Sequence, residues 1–344
     1  MTGYLPPEWA PQAATLLVWP RADGDWGDGL ADARDVHARM TSALATCQPV
    51  LLLAPDPEAR HDIEQRRDLA ANPAISLIDC PVDDIWIRDY GPLTTFRDSR
   101  RTALDFRFDG WGGKFPARRD DEATRRLAAD GWLGDVSYQA ETLVLEGGSL
   151  EVDGRGALLT TRRCLLGENR NPGSYQATFE ALFADCFGVD RVHWLDHGEL
   201  IGDDTDGHVD TLARFVPGNG IVYQGCDDSR DDHYQPLQTM ADELATLRDS
   251  SGQPYVLHEL PLPAPIHDPD DGHRLPAGYA NFLIANGCVL MPAFDDPADA
   301  VARAVLAAAL PDRRIIPVDC RALIRQNGGI HCAAMQLPAA PDHD

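Results

Sequence analysis

Apolar and polar positions along this chain follow two alternating periods. Short apolar runs at 14–19, 49–54 and 75–79 have the length of buried strands. Between the first two, Leu30, Val36, Met40 and Leu44 sit at helical spacing within 29–47, and 57–71 reads as a charged helix. The same rhythm continues. Strands are expected at 102–108, 141–145, 157–161, 191–195, 211–216, 219–224 and 314–318. Helices are expected at about 119–130, 174–187, 230–249 and 297–309. Residues 279–292 form an expected hairpin turning at Asn286-Gly287, and a last short strand follows Cys332. The Pro-, Asp- and Gly-rich stretch 261–278 is a long loop suited to covering a site.

Short strand pairs thus alternate with about five amphipathic helices, and no linker interrupts them. The expected fold is α/β, a single domain over 1–344 built of repeated β/α units. Periodicity by itself does not separate a closed propeller from an open sheet.

Composition narrows the function. Of the 344 residues, 30 are Lys or Arg and 55 are Asp or Glu, a formal charge of −25. Such a surface repels nucleic acid and anionic membranes and attracts small cations. No 18-residue apolar run occurs, so no membrane span is expected, and the first nine residues lack the basic start of a signal peptide. Eight dispersed cysteines without a Cys-x-x-Cys pair suit free thiols in a reducing compartment, so a cytoplasmic protein is expected.

Candidate chemistry clusters at the ends of the apolar runs. In Gly202–Asp210 an Asp- and Gly-rich loop runs into a strand, and strand alternation would put His208 and Asp210 on one face. Alone, His-x-Asp is more often a surface pair. Asp89 ends an expected strand, Ile85-Trp86-Ile87-Arg88-Asp89, before Gly91-Pro92; in isolation it would only bond its own turn. Glu146 ends another before Gly147-Gly148, and an interior carboxylate there needs a partner. Trp111 stands among glycines at 110–113, where a backbone passes close to a ligand or an ordinary aromatic loop packs. Cys332 follows Gly328-Gly329-Ile330-His331 at the mouth of a strand. His331 would point to the opposite face, so His208 is the better partner for the thiol.

A thiol, a histidine and three strand-end carboxylates exceed what an amidase needs behind its histidine. They suit a planar guanidinium, whose N–H donors pair bidentately with opposed carboxylates. Two rivals remain on these residues: a metal hydrolase using His208, Asp210 and His193 or His197, and a polyamine-binding protein with no need of Cys332.

The stretches Trp86-Ile87-Arg88-Asp89-Tyr90-Gly91-Pro92, Glu146-Gly147-Gly148-Ser149, Asp206-Gly207-His208-Val209-Asp210 and Gly328-Gly329-Ile330-His331-Cys332 resemble, in this order, the bacterial agmatine and peptidylarginine deiminase family of the guanidine-modifying superfamily. The resemblance implies a five-bladed α/β propeller of ββαβ units with its site on the axis. It implies hydrolytic deimination of agmatine, or of free or C-terminal peptidyl arginine, through a covalent thiouronium on Cys332. Asp89 and Asp210 would grip the guanidinium, Glu146 would hold His208, and His208 would act as acid and then base. Trp86 and Trp111 would wall the substrate, and no metal or cofactor is needed. Tyr90 departs from the Thr often found there in agmatine-directed members. An assembly of identical subunits is compatible with the sequence.

Overall fold

The structure, a computed structural model, describes residues 3–97 and 100–340, so both ends of the expected 1–344 span lie outside it. Strand β1 (Gln12–Val18) is joined through helix α1 (Leu30–Leu44) to the parallel strand β2 (Val50–Ala54). Helix α2 (Pro57–Gln65) then leads to a further parallel strand, β3 (Ile75–Asp79). The second unit is an antiparallel pair, β4 (Leu93–Arg97) and β5 (Arg100–Arg107), followed by helix α3 (Ala123–Ala129) and the parallel strand β6 (Ser137–Val144).

The remaining units repeat this plan. The third comprises β7 (Glu151–Val152), β8 (Ala157–Thr161), α4 (Gln176–Phe187) and β9 (Arg191–Leu195). In the fourth come β10 (Ala213–Val216), β11 (Gly220–Gln224), α5 (Tyr234–Thr246) and β12 (Val256–Leu260). The fifth has β13 (Leu283–Ala285), β14 (Cys288–Ala293), α6 (Ala298–Ala309) and β15 (Arg314–Asp319). Finally β16 (Ala334–Pro338) lies antiparallel to β1, with Leu16 opposite Met335 and Leu17 opposite Ala334. The first sheet therefore takes its antiparallel strand from the far end of the chain. Among the described residues this makes five small sheets of mixed α/β structure.

Local sequence explains the elements. The central strands β2, β8, β11 and β14 read as continuous apolar runs because side chains on both faces are covered. Helix α1 turns Val36, Met40 and Leu44 inward. Asp56 caps α2 by accepting from the Ala59 amide at 2.8 Å, with Pro57 in the first turn, where its missing N–H costs nothing. The expected Asn286-Gly287 turn joins β13 to β14.

Three expectations need correction. Residues 84–89 are not a strand: Ile87–Tyr90 is a single helical turn. The Asp120 carboxylate takes the Asp83 and Asp84 amides at 2.6 and 3.2 Å, and the Tyr90 hydroxyl donates to the Asp84 carbonyl at 2.5 Å, so local bonds coil the segment. His208 and Asp210 likewise flank and join a 3-10 turn, Val209–Thr211, and the strand begins only at Ala213. The 57–71 helix breaks into α2 and a short turn, Arg67–Ala70. Strands β4 and β12, with mixed burial, were not expected. Among the described residues no helix is long and apolar enough to cross a membrane.

One charged side chain ties the sheets together. Arg214 of β10 is fully buried. Its Nε donates to Glu151 Oε1, its Nη2 to Glu8 Oε2 at 2.5 Å, and its Nη1 to the Phe282 carbonyl at 2.6 Å. Replacing it strands two buried carboxylates without a cation. Arg214→Met should lower the unfolding free energy by roughly 3–5 kcal/mol in urea titrations; an unchanged midpoint would show the network to be dispensable.

Candidate active site

Four segments bring the predicted groups together, each just outside a strand. Asp89 comes from the Ile87–Tyr90 turn, Glu146 and Gly148 from the end of β6, His208 and Asp210 from the turn before β10, and Cys332 from the residues before β16. Gly148 shows how tightly they converge. A Cβ on it would lie 2.6 Å from His208 Nδ1, 2.8 Å from Asp89 Oδ1 and 3.1 Å from Asp210 Oδ2. Only glycine fits. Gly328 plays the same part on the other wall, where a Cβ would sit 2.3 Å from the Trp86 ring.

Asp89 is fixed by two donors. Trp111 Nε1 reaches Oδ2 at 3.0 Å and the Gly148 amide reaches Oδ1 at 3.0 Å. His208 Nδ1 stands 3.6 Å from Oδ1, and neither ring nitrogen of His208 has a hydrogen-bond partner. Cys332 Sγ lies 3.8 Å from Asp210 Oδ2 and 3.2 Å from Asn281 Nδ2, while the Cys332 amide donates to Asn281 Oδ1 at 3.3 Å. Trp86, Trp111, Asp84, Asp89, Asp204 and Cys332 share one narrow pocket of about 30 Å³. Both tryptophans are thus pocket walls and buried core at once, only 5 % and 6 % exposed.

Electrostatics set the resting state. Burial, then Asp210 and Asp89, push the Cys332 thiol well above the ordinary range. Burial also drives His208 down to about 3, so its ring is neutral. Asp89 is raised well above a normal carboxylate by burial, then by Asp210 and Glu146. Burial would raise Asp210 too, but the hydrogen bond and charge of His331 hold it below the usual value. At the mouth, burial lifts Asp84 to about 6 and raises Asp204. A cation placed here would reverse most of these shifts, stabilising carboxylates and thiolate together.

All five predicted catalytic side chains are buried around this point. Glu146 differs from expectation in its partner: Arg170 Nε donates to Oε1 at 2.6 Å, and Oε2 has no partner. A Glu146 oxygen, the Cys164 sulfur and a His208 nitrogen lie within 4.8 Å of one another, a donor set for a metal, but the adjacent Arg170 charge opposes a cation there. His193 and His197 of the rival metal reading belong elsewhere. His193 packs its ring edge against Tyr255, and His197 pairs with Glu243 at 2.7 Å. Arg88 is engaged elsewhere, donating to Gln336 at 2.7 Å. Tyr90 does not line the pocket. Missed residues are Asn281, Arg170, Asp84 and Asp204. Asp204 stood inside the Gly202–Asp210 motif as a usable signal, whereas nothing local marked Asn281.

A family model described as Porphyromonas-type peptidyl-arginine deiminase matches residues 4–338. A Stutzerimonas stutzeri (strain A1501) protein named agmatine deiminase is 36% identical, covering 98% of this chain and 95% of its own. A C. jejuni agmatine deiminase structure with substrate bound superposes with a TM-score of 0.90 at 33% identity, over 99% of this chain and 97% of that one. A Porphyromonas gingivalis structure with a provisional arginine deiminase name gives 0.87 at 41%, over 99% of both chains.

The raised Cys332 thiol makes one outcome specific. In the ligand-free protein its alkylation by iodoacetamide, followed by peptide mapping, should keep accelerating above pH 9, the midpoint of an ordinary thiol here. A rate already level at pH 8 would mean a thiolate exists without substrate.

Proposed function

The chain belongs to the Porphyromonas-type peptidyl-arginine deiminase family, and from that premise we propose that it hydrolyses agmatine to N-carbamoylputrescine and ammonia. One observation carries the choice of substrate. The pocket at Cys332 is lined by Asp84, Asp89 and Asp204, and no Lys or Arg is among its lining residues. Agmatine is a dication with no carboxylate, so its guanidinium suits Asp89 and its distal ammonium suits Asp84 and Asp204. Arginine would set its carboxylate against those two acids with no cation to receive it. The basic residues adjoining the lining positions are engaged elsewhere: Lys114 with Asp206 at 3.0 Å, Arg88 with Gln336 at 2.7 Å and Arg325 with Asp270 at 3.0 Å. A wider acidic cleft, lined by Asp25, Asp268 and Asp270, shares Gln326 with the pocket and would draw cations toward it.

In this reading Asp89 and Asp210 hold the guanidinium and Cys332 Sγ attacks its central carbon. The thiol proton passes to His208, whose ring nitrogens are unengaged, and from there to the leaving nitrogen, so ammonia departs and a thiouronium remains. His208, neutral again, takes a proton from water as it attacks, giving the urea and restoring the thiol. Glu146, anchored by Arg170, has a carboxylate oxygen within 4.8 Å of a His208 nitrogen. The five sheets are read as blades of a five-bladed propeller in one domain over 1–344, and the pairing of β16 with β1 supports that closure. Eight unpaired cysteines support a reducing, cytoplasmic setting.

Ammonia release with agmatine, free arginine and a peptide ending in arginine tests the reading directly. kcat/KM for agmatine should exceed the others by roughly 100-fold or more, and Cys332→Ala should abolish turnover yet still bind agmatine. Equal rates on arginine would defeat the substrate assignment. The mouth acids add a pH signature. Because the ammonium prefers ionised Asp84, KM for agmatine should climb as pH falls through about 6, and Asp84→Asn should flatten that climb while raising KM at neutral pH. A limb that persists in Asp84→Asn belongs to another group.

A further inference from the structure

His331 is next to Cys332 in sequence, and both side chains approach the same Asp210 oxygen, Oδ2. His331 Nδ1 is 2.7 Å from Asp210 Oδ2 and its Nε2 is 2.7 Å from Glu8 Oε2. We infer that His331 is a positioning residue for substrate: wedged between Glu8 and Asp210, it fixes which Asp210 oxygen is presented to the guanidinium. The inference rests on Asp210 contacting that guanidinium, as proposed above.

The geometry leaves the ring little choice. A carboxylate only accepts, so the Nδ1 proton goes to Asp210 Oδ2. The opposite nitrogen is enclosed by Glu8 Oε2 and by Arg214 Nη2, 3.0 Å away, and Arg214 has Glu8 Oε2 as its own acceptor. The His331 amide donates to Asn281 Oδ1 at 2.9 Å and its carbonyl accepts from Arg88 Nε at 3.3 Å, so the backbone is held as well as the ring. Glu8 is anchored in turn by the Ile284 amide at 2.5 Å. With Oδ2 held by His331 the Asp210 carboxylate is fixed in rotation: Oδ2 lies 3.8 Å from Cys332 Sγ, and Oδ1 is left buried and without a hydrogen-bond partner.

The charges around the pair act in the same direction. Facing His331 are Glu8, Asp210 and Arg214, with Glu151 beyond Arg214 and Arg88 4.0 Å from Glu8. Facing Asp210 are His331, His208, Asp89 and Cys332. Burial opposes ionisation of Glu8, yet Arg214 and then His331 hold it well below the usual carboxylate range. The relay therefore carries a fixed negative charge at its outer end, which keeps the imidazole oriented toward Asp210. A His that merely filled space would need neither carboxylate.

The test measures agmatine kinetics against pH for His331→Gln, Glu8→Gln and Asp210→Asn, singly and combined, in the full chain with urea melts alongside. His331→Gln should raise KM by roughly 10–100-fold, the range of a lost charge-assisted hydrogen bond, with a smaller fall in kcat. Its acid limb should move to higher pH, because Asp210 loses the donor that keeps it ionised. Glu8→Gln should shift both in the same direction by less. In the Asp210→Asn background, adding either change should alter KM by less than about threefold. Wild-type KM and acid limb in His331→Gln would overturn the inference, as would an undiminished effect in the Asp210→Asn background. If His331→Gln fails to fold, Glu8→Gln with and without Asp210→Asn decides by the same criteria. Normal kinetics in Asp210→Asn alone would instead defeat the reading of Asp210 as a guanidinium contact, and the inference with it.

Discussion

Buried negative charge is the constraint on which this molecule is organised. An unpaired carboxylate in a dry interior costs several kcal/mol or takes up a proton. Two groups of interior acids stand out, apart from acids such as Asp120, which burial lifts to about 8 while it holds backbone amides outside the pocket. Glu8 and Glu151 share Arg214, Glu146 and Asp206 share Arg170, and Asp210 has His331. Asp89 and the mouth acids Asp84 and Asp204 have neutral donors or none, and their pKa values rise accordingly. The first group is structural charge, neutralised on folding. The second is an unmet demand for a cation, concentrated in one pocket around a thiol.

Fold and site meet because the acids of the first group hang on the same elements that bring the chain ends together. β16 pairs with β1 and sets Cys332 two residues upstream of that pairing. Glu8, four residues before β1, reaches across to Arg214 of β10 and to His331. The nucleophile is therefore located by contacts between the first and last tenths of the sequence, with the middle of the chain clamped between them.

Much of this was legible in the sequence, and the failures have physical causes. Strands flanked by helices were readable where burial is continuous, as in β8, whose observed limits match the expected run. β9 was also found at its observed limits although it is only partly buried, whereas β4, with two apolar residues in five, and β12, mostly unburied, were not expected. The candidate site residues were read from strand-end chemistry, yet three, Asp89, His208 and Asp210, were placed on the wrong local structure. Asp89 and His208 sit on turns stabilised by Asp120 and Thr205 side chains, which one-dimensional alternation does not register. Partners were the least legible level. Arg170 for Glu146 and Asn281 for Cys332 lie 24 and 51 positions away, and only folding brings them close.

The division of charge also explains how a buried thiol can serve as a nucleophile without being a liability. In the resting pocket the neighbouring acids and the lack of water keep Cys332 protonated, and His208 is neutral, so neither oxidant nor electrophile meets a thiolate. In the proposed mechanism a guanidinium entering between Asp89 and Asp210 would supply the missing positive charge. It would lower the cost of ionising the thiol at the same moment as it presents the carbon to be attacked. A neutral molecule of the same shape would leave the acids repelling one another and the thiol inert. Selectivity for a cation and activation of the nucleophile are thus one electrostatic event, and the unneutralised acids are what couple them.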